Sequence, residues 1–113
     1  RGFQYAGRPY DFRFDFRSDA ALVCTELVYK AYEPTPRRTG LRFALPIMLG
    51  RPVLPANELV RQFDEAGGSA RRQLDLILFL DGQERAGVAV EAPVEEFRRS
   101  WRRPKWRFVR SAE

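Results

Sequence analysis

The chain has 113 residues, one cysteine, no histidine and a formal net charge of +5. This length predicts one domain or part of one, and a hydrophobic content of 44% is enough to form a core. A single cysteine excludes an internal disulfide framework, and without histidine the usual zinc ligands are missing, so we expect no metal and no cofactor.

The N-terminal sequence "RGFQYAGRPYDF" begins at Arg1 and resembles the middle of a longer protein. We therefore expect residues 1–113 to form a single domain or the C-terminal portion of one, with a processed N-terminus as the alternative. Four aromatic residues then alternate with charged ones, which is the period of a half-buried strand or extended segment. The predicted aromatic face consists of Tyr10, Phe12, Phe14 and Phe16.

The segment "ALVCTELVYKAYE" predicts a helix that begins between Ser18 and Cys24 and ends before Pro34. Cys24 lies three and four residues before Leu27 and Val28, so all three are predicted to share the inward face of this helix. We expect the Cys24 side chain to face a sheet that carries "QLDLILFLDG".

Residues 37–55 are rich in proline, glycine and arginine and predict a loop that forms a lid or a wall beside a cleft. The next segment, "PANELVRQFDEAGG", predicts a helix from Pro55 or Asn57 that ends at Gly67 and Gly68. Its apolar stripe is Leu59, Val60 and Phe63.

The last third predicts a hairpin and a short helix. "QLDLILFLDG" is the clearest strand, with Asp81-Gly82 as its turn signal and "ERAGVAVEA" as its partner. "PVEEFRRSW" then predicts a helix with Pro93 in its first turn. Pro104 is expected to end this helix, and "KWRFVR" is expected to be extended.

Cys24 has two readings from the residues alone. A lone cysteine is commonly a small apolar residue packed in a core. A position near a helix N-terminus favours the thiolate, and the free N–H groups there can stabilise an oxyanion. A cysteine nucleophile also needs a base, and the carboxylates of Asp11, Asp15 and Glu26 are poor substitutes because their charge disfavours the thiolate. The isolated chain is therefore expected to be inactive.

"GRPYDFRFDF" followed by "LVCTELVYKAY" resembles the permuted papain-like amidases, the YiiX-like cysteine hydrolases of bacteria. Their pattern is a Gly-x-Pro-Tyr-Asp-Phe-like segment, an acidic break, and Cys-Ser/Thr-Glu-Leu on a helix. The resemblance covers residues 7–32 and extends to "LPANEL", but not to the final third. The matching positions are Gly7, Pro9, Tyr10, Asp11, Phe12, Cys24, Thr25, Glu26 and Leu27.

The resemblance implies a papain-like α+β fold, in which a helix that carries the nucleophile packs on an antiparallel sheet. It implies that Cys24 attacks an amide or ester carbonyl of a peptide, cell-wall or lipid acyl substrate. In this family the catalytic histidine precedes the cysteine, so the base is expected from a segment outside this chain. A non-catalytic relative is the alternative. The resemblance implies a bacterial protein, and both the cytoplasm and the cell envelope remain open.

Four of the matching positions are candidate substrate-binding or orienting residues: Tyr10, Asp11, Thr25 and Glu26. Tyr10 and Asp11 also have a structural reading, in which Tyr10 packs with nearby phenylalanines and Asp11 caps a turn. Glu26 is either a hydrogen-bonding group near the active centre or a first-turn residue that stabilises the helix dipole.

Residues 97–113 form a basic aromatic end that contains Trp101, Trp106 and Phe108. Its aromatic residues can complete the core while its arginines remain solvated, which is the favoured reading. Alternatively, this end engages an anionic membrane surface as part of a non-catalytic binding module. Nucleic-acid binding is the least favoured of the three.

Overall fold

A computed structural model describes residues 1–83 and 87–103 of the chain. The fold is α+β, as the sequence predicts at this level. In the described residues a short 3-10 helix at Gly2–Tyr5 precedes three α-helices and two antiparallel hairpins. In chain order the elements are α1 Cys24–Tyr32, β1 Ile47–Met48, β2 Arg51–Pro52, α2 Ala56–Ala66, β3 Leu80–Gln83, β4 Val88–Glu91 and α3 Val94–Ser100.

The predicted aromatic strand at residues 10–16 is wrong. Tyr10 makes a single parallel bridge with Leu22, and the chain after it forms turns. The cause is Asp11, whose carboxylate accepts the backbone N–H groups of Arg13 at 2.8 Å and Asp15 at 2.5 Å. A short acidic side chain that binds nearby amides offers the backbone an alternative to a sheet ladder, and here that alternative prevails.

Helix α1 begins at Cys24 and ends before Pro34, within the predicted limits. Its buried face is not the predicted one. Leu27 and Val28 are 36% and 41% exposed, whereas Glu26 is fully buried and Lys30 is 8% exposed. Two charged side chains can be buried together because each neutralises the other, which a hydrophobic pattern does not reveal.

The core lies where α1, the segment before it and the start of α2 meet. It consists of Phe16, Val23, Val53 and Leu54, against which partly buried Tyr29, Phe43, Leu45 and Leu59 pack. A small core of this kind fixes residues 10–23 against the chain that leads into α2.

Residues 37–55, predicted as a loop, contain one short hairpin. Ile47 pairs with Pro52 and Met48 with Arg51, so Leu49 and Gly50 form a two-residue turn. Both have positive φ, at 50° and 74°, which is the geometry of a turn that matches the twist of a hairpin.

The remaining elements form a second hairpin packed near two helices. Strand β3 pairs with β4 as predicted, but it begins only at Leu80, and residues 73–79 form no strand. Asp81 and Gly82 lie inside β3, so the predicted turn at this dipeptide is wrong.

Helices α2 and α3 occur as predicted and contact each other through Phe63 and Phe97, with ring centroids 5.2 Å apart. Pro104 and "KWRFVR" lie outside the described residues.

Candidate functional site

Cys24 occupies the first turn of α1, as predicted, and its thiol is free and exposed. This exposure contradicts both the core reading and the expected inward orientation toward a sheet at residues 73–82. The inward face is instead taken by Glu26 and Lys30, one turn apart. An exposed thiol at a helix start is accessible to solutes.

The amides at the start of α1 have no side-chain cap. The N-cap residue is Val23, which carries no side-chain acceptor, and its own N–H donates to Glu26 Oε2 at 3.3 Å. The first N–H groups of a helix have no acceptor within it, so those of Cys24 and Thr25 are available to a negatively charged oxygen. The thiol and these donors therefore share the same end of one helix.

Glu26 belongs to a buried charge cluster. Its Oε1 lies 2.9 Å from Lys30 Nζ, and Lys30 also pairs with Asp19. Burial lowers the pKa of Lys30, but its bonds to Asp19 and Glu26 outweigh burial and the pKa is raised. The hydrogen bond from Lys30 in turn lowers the pKa of Asp19. The cluster fixes residues 19–23 to α1, a role that neither reading of Glu26 named.

Tyr10 and Asp11 adopt the arrangement of their structural reading. The Tyr10 ring lies 5.0 Å from that of Phe12 and 6.4 Å from that of Phe14. Desolvation raises the pKa of Asp11, but hydrogen bonds from the amides of Asp15, Arg13 and Phe14 hold it below its ordinary value. The charged Asp11 carboxylate therefore stabilises the turn by accepting hydrogen bonds from these backbone amides.

A cavity of about 570 Å³ lies beside the start of α1. Of the five predicted site residues it is lined only by Thr25, which directly follows Cys24. Part of the segment predicted as a lid or a wall beside a cleft, residues 48–55, contributes to the lining. The other lining residues are Phe12, Arg13, Phe14, Phe16, Met48, Leu49, Arg51, Val53, Leu54 and Pro55.

Sequence reasoning did not single out Arg13 and Arg51, the two charged residues of this lining. Arg51 Nη1 donates to the Arg13 carbonyl oxygen at 2.6 Å, a contact across 38 positions of sequence. Only the alternation of aromatic and charged residues after Pro9 gave a signal, and it was interpreted as a strand.

The described part of the basic end is largely engaged with carboxylates. Arg98 Nε lies 2.8 Å from Asp64 Oδ1, and Trp101 Nε1 donates to Asp64 Oδ2 at 3.1 Å. The bond from Arg98 and then that from Trp101 lower the pKa of Asp64. Trp101 is partly buried and bound to Asp64 of α2, but it does not belong to the core of Phe16, Val23, Val53 and Leu54. Trp106 and Phe108 lie outside the described residues.

Within residues 1–83 and 87–103, no three side chains of the metal-binding types cluster around a common point. In the same ranges, none of the helices has the length and apolar character that crossing a membrane requires.

No protein-family model matches the sequence, and neither a curated protein nor a solved structure is significantly similar to it.

Proposed function

We propose that Cys24 is the nucleophile of a papain-like cysteine hydrolase or acyltransferase that acts on an amide or ester bond. The observation that carries this proposal is an exposed thiol on the first turn of α1, beside uncapped amides and next to a residue that lines a cavity. The resemblance of residues 7–32 to the permuted papain-like amidases supports the same assignment.

In the proposed reaction the Cys24 thiolate forms a C–S bond with the substrate carbonyl carbon. Negative charge develops on the carbonyl oxygen, where the amides of Cys24 and Thr25 can stabilise it. The C–N or C–O bond then breaks, and the leaving group takes a proton from the conjugate acid of the base. Water or another acceptor cleaves the thioester and regenerates the thiol.

The base of this reaction is not among the 113 residues, which include no histidine. We propose that a segment outside this chain supplies it. The peptide, cell-wall or lipid nature of the acyl substrate is part of the proposal and follows from the family resemblance. Binding to an anionic surface is less favoured, because Arg98 and Arg103 are held by carboxylates.

The test replaces the absent base with free imidazole. The chain is incubated with 4-nitrophenyl acetate, and intact-mass spectrometry follows acylation at Cys24. Imidazole should accelerate Cys24 acylation, and the Cys24→Ser chain should not be acylated at this position.

The matched control is Cys24→Ser combined with Ala70→Cys, which moves the single thiol to an exposed loop position. A helix N-terminus stabilises an anion enough to change a rate by about 2- to 5-fold. Cys24 should therefore be acylated faster than the thiol introduced at position 70, by at least that factor. Equal acylation rates would remove Cys24 from the proposed role.

A further inference from the structure

The cavity beside α1 joins parts of the chain that are far apart in sequence. Its lining comes from residues 12–16, from the β1–β2 hairpin and residues 53–55, and from Thr25 at the start of α1. Its volume of about 570 Å³ falls in the range of small-molecule sites, which are typically largely apolar with a few placed polar groups. Phenylalanine, leucine, valine and methionine side chains provide most of this lining.

The charges of the lining are all of one sign. Arg13 and Arg51 line the cavity, and no acidic residue does. In residues 1–83 and 87–103 neither guanidinium lies within ion-pair distance of a carboxylate. Desolvation raises the pKa of Asp11, whereas hydrogen bonds from backbone amides, and then the charge of Arg51, lower it. The Asp11 carboxylate is already hydrogen-bonded to those amides. The cavity thus offers positive charge to a ligand.

The cavity also coincides with unusual backbone conformations. Among the described residues, Phe14 and Leu49 are the two that have positive φ without being glycine, at 53° and 50°. Both line the cavity. At Leu49 the hairpin turn accounts for this conformation. At Phe14 it is unfavourable for a bulky residue, and such conformations concentrate at functional sites, where the surrounding structure maintains them.

We propose that this cavity binds an amphipathic anion, an apolar chain that carries a carboxylate. The aromatic and aliphatic walls take the chain, and the guanidinium groups of Arg13 and Arg51 take the carboxylate through charge-assisted hydrogen bonds. If Cys24 is the nucleophile, this ligand class describes the acyl substrate or product of the site, and that part rests on the proposed function. Binding itself needs no thiol.

The experiment measures binding to the Cys24→Ser chain by isothermal titration calorimetry, so that a failed thiol proposal leaves the result interpretable. The probes are octanoate, 1-octanol with the same chain and no charge, and butyrate with the charge and a short chain. Octanoate should bind saturably with a stoichiometry of one. It should bind about tenfold more tightly than either of the other probes, and more weakly as ionic strength rises.

Two variants test the location. Arg13→Gln combined with Arg51→Gln should weaken octanoate binding about tenfold and leave 1-octanol binding unchanged. Met48→Glu should also weaken octanoate binding, because position 48 lies directly opposite Arg51 and the new carboxylate would occupy its guanidinium. Its matched control is Ile47→Glu, at the neighbouring exposed position that does not line the cavity, and this variant should bind normally.

Three outcomes would overturn the proposal: no saturable octanoate binding, equal affinity for octanoate and 1-octanol, or equal loss of binding in Met48→Glu and Ile47→Glu. Unfolding curves of each variant show whether it is folded. If Met48→Glu does not fold, the arginine double variant decides the question alone.

Discussion

Lys30 Nζ lies 2.9 Å from Oε1 of Glu26, a side chain with no exposed surface on the inward face of α1. The pair is buried beside Val23 and extended by Asp19. A buried ion pair brings its largest cost when one partner is lost, because the other charge remains without compensation.

Lys30→Met should therefore destabilise the chain by about 3–5 kcal/mol, since it leaves the Glu26 carboxylate buried and unpaired. Urea unfolding at neutral pH measures the change. The control is Arg99→Met, which removes an exposed pair with Glu96 at 3.7 Å and should cost less than about 1 kcal/mol. Similar losses in both variants would contradict the assignment of the Lys30 cluster as a buried structural element.

Gly40→Ala should be strongly destabilising because the glycine is both conformationally special and crowded. Its φ is +61°, and a Cβ there would lie 2.5 Å from the Tyr32 carbonyl oxygen and 2.6 Å from the Pro34 nitrogen. Gly68→Ala is the matched control, since φ is +77° there with open space around it.

The control isolates the cost of positive φ, about 1–2 kcal/mol. Gly40→Ala should exceed it by about 1–3 kcal/mol, the usual penalty for overpacking. Thermal and urea unfolding give both values. If the two alanine variants lose the same stability, the close approach of residue 40 to the end of α1 is not present in solution.

Asp11→Asn should lower the free energy of unfolding at neutral pH, and this difference from the native chain should disappear in acid. Desolvation raises the pKa of this carboxyl, and hydrogen bonds from the amides of Asp15, Arg13 and Phe14 lower it. The net effect is a folded-state pKa below the unfolded value of about 3.9. A depressed carboxyl pKa stabilises the fold above the unfolded pKa, and that contribution disappears as pH falls through the folded pKa.

Urea midpoints are measured from pH 7 into acid, and the difference between the native chain and Asp11→Asn should shrink as the pH falls below about 3.9. Glu91→Gln, at an exposed position of β4, is the comparison and should follow the native chain throughout. A gap between native chain and Asp11→Asn that stays constant over this range would show that the Asp11 charge does not organise the turn.

Arg103→Glu should lower the melting temperature by a few degrees, although residue 103 is exposed. Its guanidinium makes two bonds to the Asp81 carboxylate, at 2.6 and 2.8 Å, and a third to Glu96 at 3.3 Å. These bonds join the chain after α3 to β3, and a glutamate would place three carboxylates together. Arg71→Glu, at an exposed position, should change the melting temperature much less. The same shift in both variants would indicate a general effect of net charge.

The sequence by itself determined the elements whose signals are local. Helix α1 ends before Pro34, α2 ends at Gly67 and Gly68, and α3 follows Pro93, because these residues act on the backbone at their own position. The start of α1 was predicted only as lying between Ser18 and Cys24, because the N-cap residue Val23 gives no local capping signal. The pairing of β3 with β4, which are close neighbours in the chain, was also predictable.

Only the tertiary structure decided which side chains are buried and which surround the cavity. The burial of Glu26 and Lys30 depends on Asp19, so a pattern of apolar residues along α1 predicted the opposite face. The amides that Asp11 binds convert an alternating sequence into a turn. Arg13 and Arg51 meet at one cavity because the core fixes two segments 38 residues apart, and burial and charge pairing at that distance are properties of the folded chain.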